Sequence, residues 1–170
     1  TAPALDVGLY RAAGHGRPGH AGAVAQLGDI KVSALRNLHP PLTETFALRF
    51  DDGKSSLVFS GDTAYFPPLA TFASDASLLI HEAMYPEGID RLVARIGNGD
   101  DRLRKHMFAS HTSVEHAGRI ARDAKVGALA INHMVPIDAP LITREDWAKD
   151  AAQHWHGPLH IGTDGLRIAF

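Results

Sequence analysis

The first part of the chain contains short runs of aliphatic, aromatic and β-branched residues, some with partial alternation of apolar and polar positions. These runs cover residues 23–27, 30–37, 43–50 and 55–59. The first two flank Gly28 and Asp29, and the last two flank a turn that contains Gly53, a residue able to adopt positive φ. Strand-length runs around such turns are typical of β-hairpins, so this part predicts two hairpins.

The second part of the chain mixes apolar strands with helices. Runs of strand length occur at residues 76–80 and 128–132, and residues 159–163 and 166–170 flank an Asp-Gly pair as in a closing hairpin. Helices are predicted at residues 67–73, in two pieces within 87–110 that break near Gly97, from 114 to about 127, and at 143–155. The segment from Thr112 to Glu115 has the spacing of a capping box, with His111 just before it. The pattern predicts a mixed α/β chain with a strand-rich first half.

Side chains that can bind metals stand at or just past the ends of four predicted strands. They are His39, Asp62, the pair His81-Glu82, and His133. Strand ends can share one edge of a sheet, where side chains are held rigidly and stay open to solvent. A hydrolytic metal site requires both properties, so we expect His39, Asp62 and His133 to converge at one rim.

Composition narrows the chemistry. A chain of 170 residues with 45% hydrophobic content fits one globular domain. Its 11 histidines and absence of cysteine leave His, Asp and Glu as ligands, and they exclude a thiolate nucleophile. The formal net charge is -2 and charged residues form no long like-charge run, which argues against a broad nucleic-acid or anionic-membrane surface.

Targeting signals are not visible in the sequence. No apolar run reaches the length of a transmembrane helix, and residues 1–11 lack the basic and apolar segments of a signal peptide. The compartment is therefore unknown. Cytoplasm is the default expectation, and a removed signal peptide further upstream is the open alternative.

Four motifs follow one another along the chain: Ser60-Gly61-Asp62-Thr63, His81-Glu82-Ala83, His111-Thr112-Ser113 and Asn132-His133. In this order they resemble the later motifs of the metallo-β-lactamase superfamily, particularly its ribonuclease Z and arylsulfatase-like phosphodiesterase branch. Each motif is weak alone, but the ordered set is specific and covers the chain from Ile30 onward. The resemblance implies the α+β fold of that superfamily, an αβ/βα sandwich, here as its C-terminal half with a mostly antiparallel mixed sheet and flanking helices.

The resemblance also implies roles for individual residues. Asp62 would bridge two divalent metal ions, His39 would complete the first metal site, and His133 would belong to the second. Zinc is the first expectation, with manganese or iron as alternatives. His111 resembles the family's proton donor or transition-state stabiliser, and Glu82 is the expected acidic neighbour that supports it.

Structural interpretations stand beside these roles. His39 could simply end a strand, Asp62 could cap a turn, and His111 could precede a helix cap. His81 fits a packed, hydrogen-bonded residue better than a ligand. The remaining histidines are expected in loops or on the surface: His15, His20, His106, His116, His154, His156 and His160.

The first motif of the superfamily, H-x-H-x-D-H, is absent from the sequence. The nearest imitation begins at His154, but Pro158 stands in place of the Asp and the last His comes one residue late. We therefore expect residues 1–170 to form the C-terminal half of a hydrolase domain, with residues 1–22 as a loop-rich lead-in. Such a half lacks part of the metal ligands, so this chain alone is expected to be inactive.

The function implied is a binuclear metal-dependent hydrolase of phosphodiester, phosphonate or sulfate ester bonds that uses a metal-bound hydroxide. A lactonase or related C–O hydrolase, and a non-catalytic half-domain that acts as an interaction module, remain open alternatives. Only 22 residues lie between His39 and Asp62, which leaves no room for the tRNA-gripping arm of ribonuclease Z enzymes. The expected partners are thus a small-molecule ester substrate, the missing N-terminal half and a second copy in a homodimer, with neither a nucleic acid nor a membrane expected.

Overall fold

The fold is built on one mixed β-sheet. The computed structural model describes residues 17–97, 101–136 and 142–170. Its strands are β1 (Ala21–Leu27), β2 (Ile30–Arg36), β3 (Phe46–Asp51), β4 (Ser56–Phe59), β5 (Leu78–Met84), β6 (Leu129–Val135) and β7 (Leu159–Ile161). The helices are α1 (Pro68–Phe72), α2 (Pro86–Ile96), α3 (Arg102–Ser110), α4 (Val114–Ala124) and α5 (Arg144–Ala151).

The seven strands lie in the sheet in the order of the sequence. Neighbours from β1 to β4 are antiparallel, as the two predicted hairpins require. Neighbours from β4 to β7 are parallel. The expected mixed sheet with flanking helices is confirmed, and its antiparallel part is confined to β1–β4. The parallel part brings the C-terminal ends of β4, β5 and β6 to one edge, because parallel strands end on the same side.

The main hydrophobic core lies between one face of the sheet and the helices. It joins Leu79, Leu129 and Ile131 of the sheet to the apolar faces of α1, α4 and α5. Helix α4 approaches α5 closely: a Cβ on Gly118 would lie 2.4 Å from the carbonyl oxygen of Ala151. Glycine at this position thus allows the two helices to pack backbone against backbone.

The opposite face of the sheet carries a smaller apolar cluster. Leu78, Ala128 and Ala130 are buried there, with Leu57 and Ile80 partly buried, and Ile168 of the C-terminal segment packs against them. A third cluster joins the pair α2 and α3 to the ends of β5 and β6, with Met84, Ile89 and Met107 buried at its centre. This third contact fixes α3 beside the edge of the sheet where the parallel strands end.

Several expectations from the sequence need correction. The closing hairpin is wrong: residues 159–161 form β7, parallel to β6, and residues 166–170 form no strand. Strands β5 and β6 continue past His81-Glu82 and His133, because each still has a parallel neighbour there. Thr112 does not cap α4; Ser113 does, accepting a hydrogen bond from the His116 amide, while the Thr112 hydroxyl donates to the carbonyl of Thr63.

Other expectations agree with the structure or lie outside it. Helix α5 begins with the capping box of Thr143 and Asp146, and α2 ends at Gly97 in the left-handed conformation. The lead-in predicted for residues 1–22 falls mostly outside the described residues, and β1 already begins at Ala21. In the described segments, no helix has the length and apolar character needed to cross a membrane.

Candidate metal centre

Asp62 lies in a tight loop that leaves the end of β4. Gly61 has a φ of 59°, and a Cβ at this position would lie 2.6 Å from the backbone oxygen of Phe46. Only glycine combines this conformation with so close an approach. The buried Asn37 side chain donates to the carbonyl of Ser60 at 2.8 Å and to that of Asp62 at 3.3 Å. The loop is therefore held from both sides, and it presents the Asp62 carboxylate at the edge of the sheet.

His133 lies in a β-bulge of strand β6. The pairing with β5 steps from Glu82 opposite Asn132 to Ala83 opposite Met134, so His133 is the extra residue. Its φ is 39°, a left-handed conformation that is uncommon for a residue with a side chain. A bulge of this kind turns a side chain in a direction that regular pleating would not allow.

The loop and the bulge bring Asp62 and His133 together. His133 Nε2 lies 3.3 Å from Asp62 Oδ2, and the two side chains are 52% and 41% exposed. Because both side chains are partly exposed, an ion from solvent can reach the carboxylate oxygen and the imidazole nitrogen together. The pair provides the donor types that zinc or manganese binds.

His39 lies in the loop after β2, and one of its ring nitrogens is held by a hydrogen bond. Its Nδ1 lies 2.7 Å from the carbonyl oxygen of Ser110. Because a carbonyl only accepts hydrogen bonds, Nδ1 carries the proton and Nε2 keeps its lone pair. A histidine fixed in this tautomer is prepared to bind a metal through Nε2.

The imidazole rings of His39, His111 and His133 form a row. The centroids of His39 and His111 are 5.1 Å apart, and those of His111 and His133 are 5.8 Å apart. Of the three residues predicted to converge, the structure brings Asp62 and His133 into contact, whereas His39 is separated from His133 by the ring of His111. His111 lies between the two predicted imidazole ligands.

Glu82 is a buried carboxylate at the back of this row. Its side chain is 1% exposed. Oε1 accepts hydrogen bonds from the amides of Thr112 at 2.8 Å and Thr63 at 3.4 Å. Oε2 lies 3.3 Å from His111 Nδ1, so the acidic neighbour expected for His111 is in place. One carboxylate thus connects the loop of Asp62 to the segment of His111.

The position of His111 changes its acidity. Burial lowers the pKa of His111, but the hydrogen bond and negative charge of Glu82, together with the charge of Asp62, outweigh burial and raise the pKa above its usual value. His111 Nδ1 is occupied by Glu82, which leaves Nε2 for a substrate atom. The arrangement favours an imidazolium that holds its proton to higher pH than a free histidine does.

His81 lies away from the row, inside the core. It is completely buried, and its Nδ1 donates to the carbonyl of Glu82 at 2.6 Å. Burial lowers the pKa of His81, although the charge of Glu82 partly opposes this effect. The packed, hydrogen-bonded position agrees with the structural interpretation of this residue.

The described ligands make an incomplete set. Within residues 17–97, 101–136 and 142–170, no three His, Asp or Glu side chains are grouped so that they could hold a metal ion by themselves. Asp62, His39 and His133 are donor types that divalent zinc or manganese binds. They are too few, however, to complete a metal site. This is the result expected if further ligands come from an H-x-H-x-D-H motif that the sequence lacks.

An open cleft of about 930 Å³ adjoins the candidate centre on the side of His133. Asn132, Thr163 and Arg144 also line it. The Arg144 guanidinium donates a hydrogen bond to the carbonyl of Ile161 at the end of β7. This bond holds Arg144 against the segment after β7, on the side of the cleft opposite His133. The cleft gives a substrate direct access to His133.

Sequence reasoning missed several residues that build this centre. Asn37 supports the Asp62 loop, Ser110 fixes the tautomer of His39, and the bulge orients His133. Asn37 and Ser110 are common polar residues with no spacing that distinguishes them. The bulge had one available signal in the sequence. Leu129 and Ile131 are apolar at odd-numbered positions, whereas the next large apolar residue, Met134, has an even number and packs against the same core.

Comparison with known proteins identifies relatives of this chain. No family model matches the chain. Ribonuclease Z of Mycolicibacterium gilvum is 32% identical over 130 residues, 76% of this chain and 43% of that protein. Ribonuclease Z of Mycobacterium tuberculosis is 28% identical over 130 residues, 76% of this chain and 45% of that protein. The chain spans about half the length of the curated relatives that it matches.

Solved structures share the fold. The metallo-β-lactamase fold protein YhfI of Bacillus subtilis covers 88% of this chain with a TM-score of 0.63 and 23% identity, and 52% of its own chain is matched. The short form of human tRNase Z covers 89% of this chain with a TM-score of 0.56 and 15% identity, and 47% of its own chain is matched. Both comparisons support the metallo-β-lactamase fold expected from the sequence motifs.

One expectation from the sequence is contradicted by these relatives. We expected a small-molecule ester substrate and no nucleic acid, whereas the sequence relatives are named as ribonucleases and a structural relative is a tRNase. The error arose because a net charge averages over the whole surface and says nothing about charge beside one site. The absence of an inserted arm likewise does not describe the other surfaces that could contact RNA. From its ordered motifs, its fold and its sequence relatives, this chain has the metallo-β-lactamase fold and is related in sequence to ribonuclease Z.

Proposed function

We propose that this chain is the C-terminal half of a metal-dependent phosphodiester hydrolase that acts on RNA. One observation carries the proposal: the Asp62 carboxylate contacts His133 at 3.3 Å, beside the buried Glu82–His111 pair. A potential metal-binding pair and a potential acid thus share one rim. The ribonuclease Z names of the sequence relatives support RNA as the substrate class.

The proposal that residues 1–170 form half of a domain rests on three observations. The H-x-H-x-D-H motif is missing from the sequence. The described His, Asp and Glu side chains do not form a metal site by themselves. The matched relatives are about twice as long as the matched region, since the chain covers 43% to 54% of their length. A second half that brings the missing ligands explains all three.

The ligands proposed on this chain are Asp62, His39 and His133. The Asp62 carboxylate and the Nε2 atoms of His39 and His133 would hold divalent ions together with ligands from the missing half. Two divalent cations would acidify a water molecule and neutralise charge on a phosphoryl oxygen. On the protein side, the fixed tautomer of His39 and the bulge at His133 orient these ligands before any ion arrives.

His111 is the proposed general acid. Hydrolysis of a phosphodiester adds water to phosphorus and releases an alkoxide, which takes up a proton. His111 Nε2 would donate that proton, while Nδ1–H remains bonded to Glu82. Glu82 stabilises the protonated ring and fixes its orientation through its bonds to the Thr63 and Thr112 amides.

Metal content tests the ligand assignment. We expect elemental analysis of the intact polypeptide, including its N-terminal half, to find two divalent ions per chain and Asp62→Asn to lose both. Asp52→Asn, in an exposed turn after β3, serves as the matched control and should keep them. Full occupancy in the Asp62 variant, or no bound ion in the parent protein, would contradict the proposal.

Kinetics test the acid. We expect His111→Asn to lower kcat on an RNA oligonucleotide by roughly 10²- to 10⁴-fold, as general acids typically contribute. A substrate with an activated leaving group, such as bis(p-nitrophenyl) phosphate, should lose much less because it needs no proton. His156→Asn, at an exposed position, is the control and should retain the parent rate. Equal losses on both substrates would exclude His111 as the proton donor.

A further inference from the structure

Helix α3 is a basic helix that ends at the candidate centre. Its sequence, RLRKHMFAS, contains three cationic residues and a histidine and has no acidic residue. Leu103, Met107 and Ser110 face the protein, whereas the basic side chains of Arg102, Arg104 and Lys105 are exposed. The net charge of -2 for the chain conceals this local concentration of positive charge.

The C-terminal end of α3 is fixed to the residues of the centre. The Ser110 carbonyl accepts the hydrogen bond of His39, and the Ser110 hydroxyl donates to the carbonyl of Pro40 at 2.6 Å. His111 follows directly. At 1.5 Å of rise per residue, Arg102 and Lys105 lie roughly 9 to 14 Å along the axis from His111. That distance corresponds to a few nucleotides of a strand that enters the centre.

One edge of α3 faces the centre. Arg102, His106 and Ser110 succeed one another at intervals of four residues, so they share an edge of the helix. His106 Nδ1 lies 3.3 Å from the Ser110 hydroxyl, which itself contacts the loop of His39 through Pro40. Lys105, with 74% of its side chain exposed, is next to this edge.

The other edge of α3 carries an exposed aromatic ring. Arg104 lies over the ring of Phe108, 4.3 Å from its centroid, and Phe108 is 38% exposed. An exposed aromatic ring beside a guanidinium suits the stacking of nucleobases. Cations for phosphates and a ring for bases thus occur on one helix.

The ion pairs on α3 do not block this use. Arg104 pairs with Asp90 at 2.6 Å and Lys105 with Asp101 at 2.7 Å. These pairs are about half or more exposed, and surface pairs of this kind are weak enough for phosphate groups to compete with them.

From these observations we propose that the exposed surface of Arg102, Arg104, Lys105, His106 and Phe108 binds the RNA strand next to the scissile phosphate. This inference rests on the proposed function for its substrate class, and it adds a second contact region on this chain. The surface is expected to act mainly on substrate binding, because its charges lie outside contact with the reacting atoms.

The test measures RNA binding apart from catalysis. A fluorescently labelled single-stranded RNA is titrated with the intact protein in the presence of a chelator, and anisotropy is followed at several salt concentrations. We expect the double variant Arg102→Glu and Lys105→Glu to bind roughly tenfold or more weakly, with a salt slope reduced by about 0.7 for each phosphate that is no longer neutralised. The neutral pair Arg102→Gln and Lys105→Gln should show a smaller change in the same direction, and circular dichroism checks that both variants fold.

The matched control reverses two exposed arginines of α4, Arg119→Glu and Arg122→Glu, which alters net charge equally. Weaker binding for the α3 variant alone supports the inference. Unchanged binding for the α3 variant, or equally weakened binding for both variants, overturns it. Hydrolysis of bis(p-nitrophenyl) phosphate reports on the proposed function separately: it should be unaffected by the α3 variant, and its absence from the parent protein would contradict the function but not the RNA surface.

Discussion

Replacing Gly61 by alanine tests the link between the loop after β4 and the candidate metal site. Gly61 has a φ of 59°, and an added Cβ would meet the Phe46 carbonyl at 2.6 Å. Gly28, in the turn between β1 and β2, has nearly the same φ of 61°, but a Cβ there would meet nothing within 4 Å. The two alanine variants therefore share the backbone strain and differ in the steric clash.

The expected free-energy changes follow from these two contributions. A left-handed conformation costs an alanine roughly 1–2 kcal/mol relative to glycine, which is the loss of stability expected for Gly28→Ala. Forcing two backbone segments apart adds about 1–3 kcal/mol, as overpacking does in a core. Gly61→Ala should thus lose about 2–5 kcal/mol in the free energy of unfolding. Any shift of the loop also moves Asp62 away from His133.

Urea denaturation of the purified protein measures the first effect, followed by tryptophan fluorescence because Trp147 and Trp155 are both buried in the main core. With a slope of about 2 kcal/mol per molar urea, Gly61→Ala should lower the midpoint by roughly 1–2.5 M and Gly28→Ala by roughly 0.5–1 M. Calorimetric titration of the intact polypeptide, including its N-terminal half, with zinc measures the second effect, and only Gly61→Ala should weaken binding. Equal midpoints for the two variants would refute the role assigned to the Phe46 contact.

Three further predictions concern titration and capping. Glu82→Gln should lower the pKa of His111, measured from its imidazole resonances by NMR, because the negative charge that offsets burial is removed; an unchanged pKa would contradict the assigned contact. Burial lowers the pKa of His81, so the unfolded chain binds a proton at His81 more readily than the folded chain does. The contribution of neutral His81 to stability is therefore present above a pH of about 6.5 and is lost as the pH falls through the lowered pKa. The acid-induced loss of stability in denaturation curves should accordingly be smaller in His81→Gln, and equal losses would count against this assignment. Thr143→Ala should reduce the free energy of unfolding by about 1 kcal/mol through loss of the capping box, and a loss below a few tenths would show that the cap contributes little.

The sequence predicted the elements of the fold better than their ends. The hairpins of β1–β4 follow from Gly28 and Gly53, because turn chemistry is local. The final hairpin failed because residues 159–161 pair with β6, a distant partner that local pattern does not reveal. The extension of β5 through Glu82 has the same cause. Local signals thus identified elements, and tertiary pairing decided where they stop.

The candidate site shows the same division. Side-chain type and position after strands were enough to select Asp62 and His133, which the structure brings into contact. The pairing of Glu82 with His111 was expected from motif resemblance, and the two residues are 3.3 Å apart. Asn37 and Ser110 could not be selected, because their importance depends on which backbone carbonyl or imidazole lies opposite them. The roles of all these residues in metal binding and catalysis stay predictions.

The extra residue in β6 has a consequence for how this strand tolerates length changes. Before His133, odd-numbered positions such as Leu129 and Ile131 belong to the main core, whereas after it the even-numbered Met134 packs there. One inserted residue therefore inverts the inside-outside phase of the strand relative to its sequence numbering. Deleting His133 would leave Asn132 opposite Glu82 and Met134 opposite Ala83, so the pairing would become regular and Met134 would keep its place on the core face. The fold should thus tolerate the loss of this one residue, whereas the contact between His133 and Asp62 would be lost with it.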